Sequence, residues 1–327
     1  MSSIVIHIRF LAMDIVACTD KRNVMPTGVM MISVCENNPE VDIHFHLVTD
    51  TDVSTSQCND LKELLASYKG KAITFYPIPL NMIDNQFPNI DKRIPRTAYY
   101  RLFLSALLPE KVDKVLYFDG DIIVRHSLTE LWNTDVSGYA LAAVPDMREG
   151  VIDRYNRLKY SPSWGYFNSG MLLINLKYWR EHHALERFLD CIQKHHAQLV
   201  YHDQDVLNYV FHEQKIMLPI KFNFQHGHLW KEPLYDYWKY EQQVLEARKD
   251  PVIIHYTGGK PWTKYIKYHN PYSSSFYKYQ NLSKWRGIKV DNRSIYTKIR
   301  TAVGDVLRWM KIRPTDKNNF IEINPID

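Results

Sequence analysis

Lys114-Val115-Leu116-Tyr117-Phe118-Asp119-Gly120-Asp121-Ile122-Ile123-Val124 is a short apolar run, stopped by two acids that straddle a glycine and then resumed. The first run reads as a buried strand of a parallel sheet. Two ionised carboxylates at the end of such a strand repel each other and lose solvation, so something positive has to sit beside them. A divalent cation meets that need. Carboxylate oxygens suit Mg²⁺ or Mn²⁺, and Gly120 lets the backbone bend or a ligand come close. In an open α/β sheet the carboxyl ends of the strands are also where ligands bind. For this stretch alone, an exposed Asp-Gly turn between two hairpin strands is the simpler alternative.

The rest of the chain sets the frame. With 327 residues it can form one large domain or two ordinary ones, and 45% hydrophobic against 24% charged residues describes a globular protein. No run approaches the roughly 20 apolar residues of a spanning helix. The first twelve residues lack a secretory signal, and Met13, where a clean strand begins, is an alternative start. Cys18, Cys35, Cys58 and Cys191 show no paired spacing, which argues against a disulfide framework or a zinc site and for a reducing cytoplasm. Residues 270–327 hold 11 Lys/Arg against 5 Asp/Glu, so the formal charge of +5 belongs to the tail. With the positive charge confined there and no base-stacking module, a nucleic-acid partner is not expected.

Upstream, Met13 to Asp20 reads as a strand running into a loop, followed by a helix near Pro26 to Cys35. In Val41 to Val48, His44 and His46 alternate with Ile43, Phe45 and Leu47, which makes them structural residues on the opposite face. Helix is expected over Ser54–Tyr68 and Arg96–Leu104, strand over Ala72–Ile78. Arg101 on a largely buried helix calls for an anionic partner, a carboxylate in preference to a phosphate. Downstream, a strand from Tyr139 ends at Asp146, and Met147–Ser163 is a candidate substrate loop or lid. Asn168 and Gly170 make a polar break before the strand Met171–Leu176, and one helix runs from there to His195. Asp203 or Asp205 is a candidate cap for the next helix. A short strand then ends at His255, whose nitrogen can complete an Asp, Asp, His metal set. Lys260 on the following glycine loop can reach a phosphate.

Taken together, Ile15-Val16 leading to Asp20, Thr97-Ala98-Tyr99-Tyr100-Arg101-Leu102, the Asp119-Gly120-Asp121 stretch, Phe167-Asn168-Ser169-Gly170 with its strand, Asp203-Gln204-Asp205, and His255-Tyr256-Thr257-Gly258-Gly259-Lys260-Pro261-Trp262 resemble glycosyltransferase family 8. The likeness spans residues 13–265. It is closest to the lipopolysaccharide galactosyl- and glucosyltransferases and more distant from glycogenin. The resemblance implies an α/β protein of the GT-A fold, a Rossmann-like nucleotide-sugar-binding domain with a mixed central sheet over 1–269, followed by a basic helical tail over 270–327. It implies that Asp119, Asp121 and His255 hold Mn²⁺, or Mg²⁺, against the diphosphate of a UDP-hexose. Lys260 and Gly258 would meet phosphate, Gly120 would lie against the donor, and Asp20 would meet the uridine end. Arg101, Asp146, Asn168, Asp203 and Gln204 would meet the sugar. Where the family places an aromatic residue after the first-loop aspartate, this chain has Arg22-Asn23-Val24.

The implied reaction is retaining transfer of galactose or glucose to a hydroxyl of a glycan or glycolipid acceptor, in lipopolysaccharide or other surface-glycan synthesis. Gln204 would stand nearest the anomeric carbon, with Asp203 and Asp146 beside it. An amide is a poor nucleophile, so front-face attack by the acceptor is expected. In the tail, Ile295, Ile299, Val303, Val306, Leu307 and Met310 share a helical face with Lys298, Arg300, Arg308 and Lys311 around it. Such a helix suits docking on anionic lipid at the inner face of the cytoplasmic membrane. Two other readings compete: a haloacid-dehalogenase-type phosphatase with Asp119 as nucleophile, and a non-catalytic carbohydrate-binding relative.

Overall fold

The computed structural model describes residues 12–78, 97–231, 238–265, 270–291, 293 and 295–310. The question of the first residue and the contribution of Lys311 both lie outside these. A seven-stranded mixed sheet runs through the molecule in the order β3-β2-β1-β4-β7-β6-β8. The strands are β1 (Ala12–Thr19), β2 (Asp42–Asp50), β3 (Lys71–Ile78), β4 (Lys114–Phe118), β6 (Leu141–Pro145), β7 (Phe167–Asn175) and β8 (Lys215–Met217). β7 runs antiparallel to both β4 and β6, and the other pairs are parallel. A second sheet holds β5 (Ile122–Val124), β10 (Ile253–His255) and β9 (Phe224–Gln225), in that order.

Strand periodicity divides the core. Ile15 and Ala17 of β1 and Leu116 and Phe118 of β4 face one apolar layer, where helix α1 (Val24–Asn37) and the small sheet pack. Val16, Val115 and Tyr117 face the other, under the helices Leu176–Glu181, Ala184–His195 and His202–Phe211. His44 and His46 do lie on the face opposite Ile43, Phe45 and Leu47, which belong to the first layer. All four cysteines are free. No described helix is long and apolar enough to cross a membrane.

Several expected boundaries differ. The helix expected over Arg96–Leu104 is broken into Thr97–Tyr100, a 3-10 turn Arg101–Phe103 and Leu104–Leu107, because the chain tightens where Arg101 turns inward. Met147–Ser163 is no featureless loop: it contains the helix Ile152–Leu158, whose Arg154, Tyr155 and Leu158 are buried. The helix expected to run to His195 breaks at His183, which has φ 50°. Asn168 and Gly170 lie inside β7.

The stretch after 270 begins as part of the main body. Tyr272, Phe276 and Tyr279 are buried with α1, Asn37 Nδ2 donates to Tyr279 Oη at 2.8 Å, and a methyl on Gly28 would meet the Trp285 ring at 2.4 Å. Packing against α1 therefore continues past residue 270. By contrast, the helix Ile295–Trp309 leaves Ile295, Ile299, Val303 and Val306 more than half exposed. Phe276→Ala is expected to cost about 3–5 kcal/mol in urea unfolding, and Ile299→Ser to stay within about 0.5 kcal/mol. A loss below about 1 kcal/mol for Phe276→Ala would place that segment outside the core.

Candidate active site at the carboxyl edge of the sheet

β4 ends at Phe118 and β5 begins at Ile122 in the other sheet, so Asp119-Gly120-Asp121 is a crossing between sheets and not a hairpin turn. Gly120 makes the crossing possible. A methyl there would come within 2.7 Å of Thr27 Oγ1, in the first turn of α1. The two acids are neutralised from different sides. Asp119 Oδ1 accepts from Arg101 Nη2 at 2.8 Å and Tyr117 Oη at 2.7 Å, while Asp119 N–H donates to Gly170 O at 2.8 Å. Asp121 Oδ2 pairs with Lys260, and its Oδ1 lies 3.2 Å from His255 Nε2. Burial opposes the Asp121 charge, yet Lys260 beside it holds its carboxyl well below the usual range.

His255 is oriented by a chain of hydrogen bonds that starts at the backbone. Gly170 N–H donates to Asn168 Oδ1 at 3.0 Å, which fixes that amide. Asn223 Nδ2 then donates to the same oxygen at 2.9 Å, so Asn223 Oδ1 accepts from His255 Nδ1–H at 3.0 Å. Nε2 is left facing Asp121 Oδ1 and, at 3.8 Å, Asp119 Oδ2. Gly170 also clears the ring's seat, since a methyl there would sit 2.1 Å from His255 Cε1. One imidazole nitrogen and two carboxylate oxygens thus converge within 4.8 Å of one another. With Nδ1 protonated, a lone pair on Nε2 would oppose both carboxylates. A divalent cation of the Mn²⁺ or Mg²⁺ type removes that opposition, and the donor set fits it.

Beside this lies a polar shelf. Gln204 Oε1 accepts from Ser169 N–H at 3.0 Å and Asn168 Nδ2 at 3.2 Å, while its Nε2 donates to Asp146 Oδ2 and Tyr166 Oη, both at 3.2 Å. Asp146 pairs with Arg154 at 2.6 Å, and that guanidinium is packed between the Tyr166 and Tyr201 rings. Against the effect of burial, Arg154 and the Arg148 N–H hold the Asp146 carboxyl low. Arg101 meets Asp203 Oδ2 at 3.1 Å as well as Asp119, so its anionic partners are carboxylates, as the sequence suggested. Burial, helped by Asp119, outweighs Arg101 and Ser169 and lifts the Asp203 carboxyl to about 6.

Asp203 does not cap the helix that starts at His202, whereas Asp205 Oδ2 accepts from the N–H of Tyr201, the residue before that helix, at 2.7 Å, besides binding Arg157 and Tyr166. The place of this pair on a helix also weakens the phosphatase alternative, which needs a later acid pair on a strand. Asp20 closes its own turn, its Oδ1 accepting from the Arg22 and Asn23 N–H groups at 2.8 and 3.0 Å. Gly258 lets the loop lie against the His226 ring, 2.5 Å from a methyl placed there.

Asn223, Arg154 and Gln225 stand outside the sequence motifs, Gln225 holding the turn after β6 as its Oε1 accepts from the Met147 N–H at 2.9 Å and its Nε2 donates to Pro145 O at 3.0 Å. Asn223 and Gln225 alternate with Phe222 and Phe224, a strand period with one polar face that was legible.

A family model described as Glycosyl transferase family 8 matches residues 14–265. General stress protein A of Bacillus subtilis is 29% identical over 281 residues, covering 84% of this chain and 96% of its own. A lipopolysaccharide 1,2-glucosyltransferase of Escherichia coli is 30% identical over 280 residues, covering 82% and 78%. Among solved structures, galactosyltransferase LgtC in complex with donor and acceptor sugar analogues matches with a TM-score of 0.72 at 27% identity, over 83% of this chain and 96% of that one.

Because the folded Asp203 binds its proton more tightly than the unfolded chain does, its stabilising effect is complete below the unfolded value near 3.9 and is lost as pH rises through about 6. Between about pH 4 and pH 7, the wild type should lose roughly 2–3 kcal/mol relative to Asp203→Asn in urea unfolding. Parallel stability profiles for the two proteins would refute this.

Proposed function

The chain belongs to glycosyltransferase family 8, and from that membership we propose that it moves galactose or glucose from a UDP-sugar to a glycan hydroxyl, with retention and metal assistance. The observation that carries this reading is the convergence of Asp119 Oδ2, Asp121 Oδ1 and His255 Nε2 beside Lys260. Asp119, Asp121 and His255 would hold a Mn²⁺ ion, which would supply electrophilic stabilisation of the charge that grows on a departing diphosphate. The chain's own groups do the rest. Lys260, on its glycine loop, adds a positive charge at the same edge, where it favours the transition state over the bound donor. Asp20, Gly120 and Gly258 line the nucleotide side of this proposed site.

On the sugar side, Arg101, Asp146, Asn168, Asp203 and Gln204 present hydroxyl-binding groups held by one another. Gln204 is engaged at both ends of its amide. Restrained in this way, and a poor nucleophile by nature, it orients the donor and leaves attack to the acceptor hydroxyl on the same face. A covalent sugar adduct on Gln204 or Asp203 would overturn that mechanism. By analogy with the E. coli relative, the acceptor is a surface glycan or glycolipid, with lipopolysaccharide synthesis as its setting. Transfer is assigned to the body through about residue 291. The helix Ile295–Trp309, with an exposed apolar face and basic neighbours, is assigned to anionic lipid at the inner face of the cytoplasmic membrane.

Mn²⁺-dependent hydrolysis of UDP-galactose or UDP-glucose tests the donor. Asp121→Asn should abolish it, and Lys260→Ala should lower kcat by about 10²–10³-fold. Unchanged turnover and metal dependence in Asp121→Asn would sink the metal assignment. For the tail, flotation with anionic vesicles should recover the full chain but not one ending at residue 294. Equal recovery of the two would remove the docking role.

A further inference from the structure

A second group of metal-binding side chains lies at the opposite end of β1. Asp14 of β1 and His44 of β2 are direct partners in the parallel register, and His46 stands opposite Val16. Asp14 Oδ1 lies 2.8 Å from His46 Nε2 and 3.9 Å from His44 Nδ1. Each imidazole has its other nitrogen against a hydroxyl of β3: His44 Nε2 is 2.8 Å from Thr74 Oγ1, and His46 Nδ1 is 2.9 Å from Tyr76 Oη. With those hydroxyls as acceptors, both rings turn a lone pair toward Asp14. Outer hydrogen bonds of this kind fix the tautomer of ligating histidines.

Distances support the same reading. Zinc bonds of about 2.0–2.2 Å in a tetrahedron place ligand atoms about 3.4 Å apart, and the observed 2.8 and 3.9 Å fall on either side. Small side-chain rotations therefore suffice. An Asp14–His46 hydrogen bond accounts for His46, whose side chain is 1% exposed, while a second imidazole stands with Nδ1 3.9 Å from the same oxygen and its ring centroid 4.1 Å from that of His46. The His44 side chain is 41% and that of Asp14 31% exposed, which gives an ion access. We propose that Asp14, His44 and His46 form a second divalent-cation site, suited to Zn²⁺, distinct from that of Asp119, Asp121 and His255. About 20 Å of strand separates Asp14 from Asp20 at the catalytic edge. Binding would tie β1 to β2 and act on stability, not turnover.

Calorimetric titration of Zn²⁺ into the full chain tests this, with Asp121→Asn used to weaken the catalytic-edge site. The Asp121→Asn chain should still bind one Zn²⁺ and unfold at a higher temperature in its presence. Adding His44→Ala should weaken that binding by more than about 100-fold and remove the thermal shift. His44 is chosen because it is partly exposed, and unchanged unfolding without Zn²⁺ verifies that the variant folds. No Zn²⁺ binding by Asp121→Asn would overturn the proposal, as would binding that His44→Ala leaves intact. Neither result depends on the donor or on glycosyl transfer.

Discussion

The like-charge contact between Asp119 and Asp121 at the end of a buried strand is the constraint from which the site is built. Left alone, two such carboxylates would repel each other and lose solvation, both of which oppose the burial of β4. Compensation comes from two distant parts of the sequence: Arg101 reaches Asp119 and Lys260 reaches Asp121, with His255, five residues before Lys260, facing both acids. Because each partner belongs to a different element, folding the two sheets together is also what assembles the charge balance.

That dependence explains features that look unrelated. Gly120 is needed for the crossing between sheets and Gly170 for the seat of the His255 ring, and neither is at a positive φ. Asn168 serves both sides, since its oxygen fixes Asn223 and hence His255, while its nitrogen reaches Asp146 and Gln204. The Asp119–Asp121–His255 cluster and the polar shelf around Gln204 therefore share one amide. A change there should disturb both together.

Much of this was legible in the sequence because strand signals are local. The apolar run before Asp119 and the short one before His255 each end at a side chain of the candidate site, and the crossing from β4 to β5, which pairs with β10, brings those ends together. Arg101 was legible as a buried cation in need of acids, though not the two it shares. What escaped depended on tertiary contact. Asn168 and Gly170 read as a break because polar and small residues weaken a strand signal, yet β7 continues through them with Gly170 O accepting from Asp119 N–H. The packing of Phe276 on α1 escaped because Ser273–Gln280 is a polar helix that buries only a few aromatic rings, inside a tail of basic character.

A structure determined with Mn²⁺ and UDP, using anomalous scattering to locate the metal, addresses the central claim most directly. A single Mn²⁺ peak about 2.0–2.3 Å from Asp119, Asp121 and His255 Nε2, with Asn223 still accepting from Nδ1–H, is the expected result. Manganese bound elsewhere, or bound at the acids with His255 turned away, would contradict it.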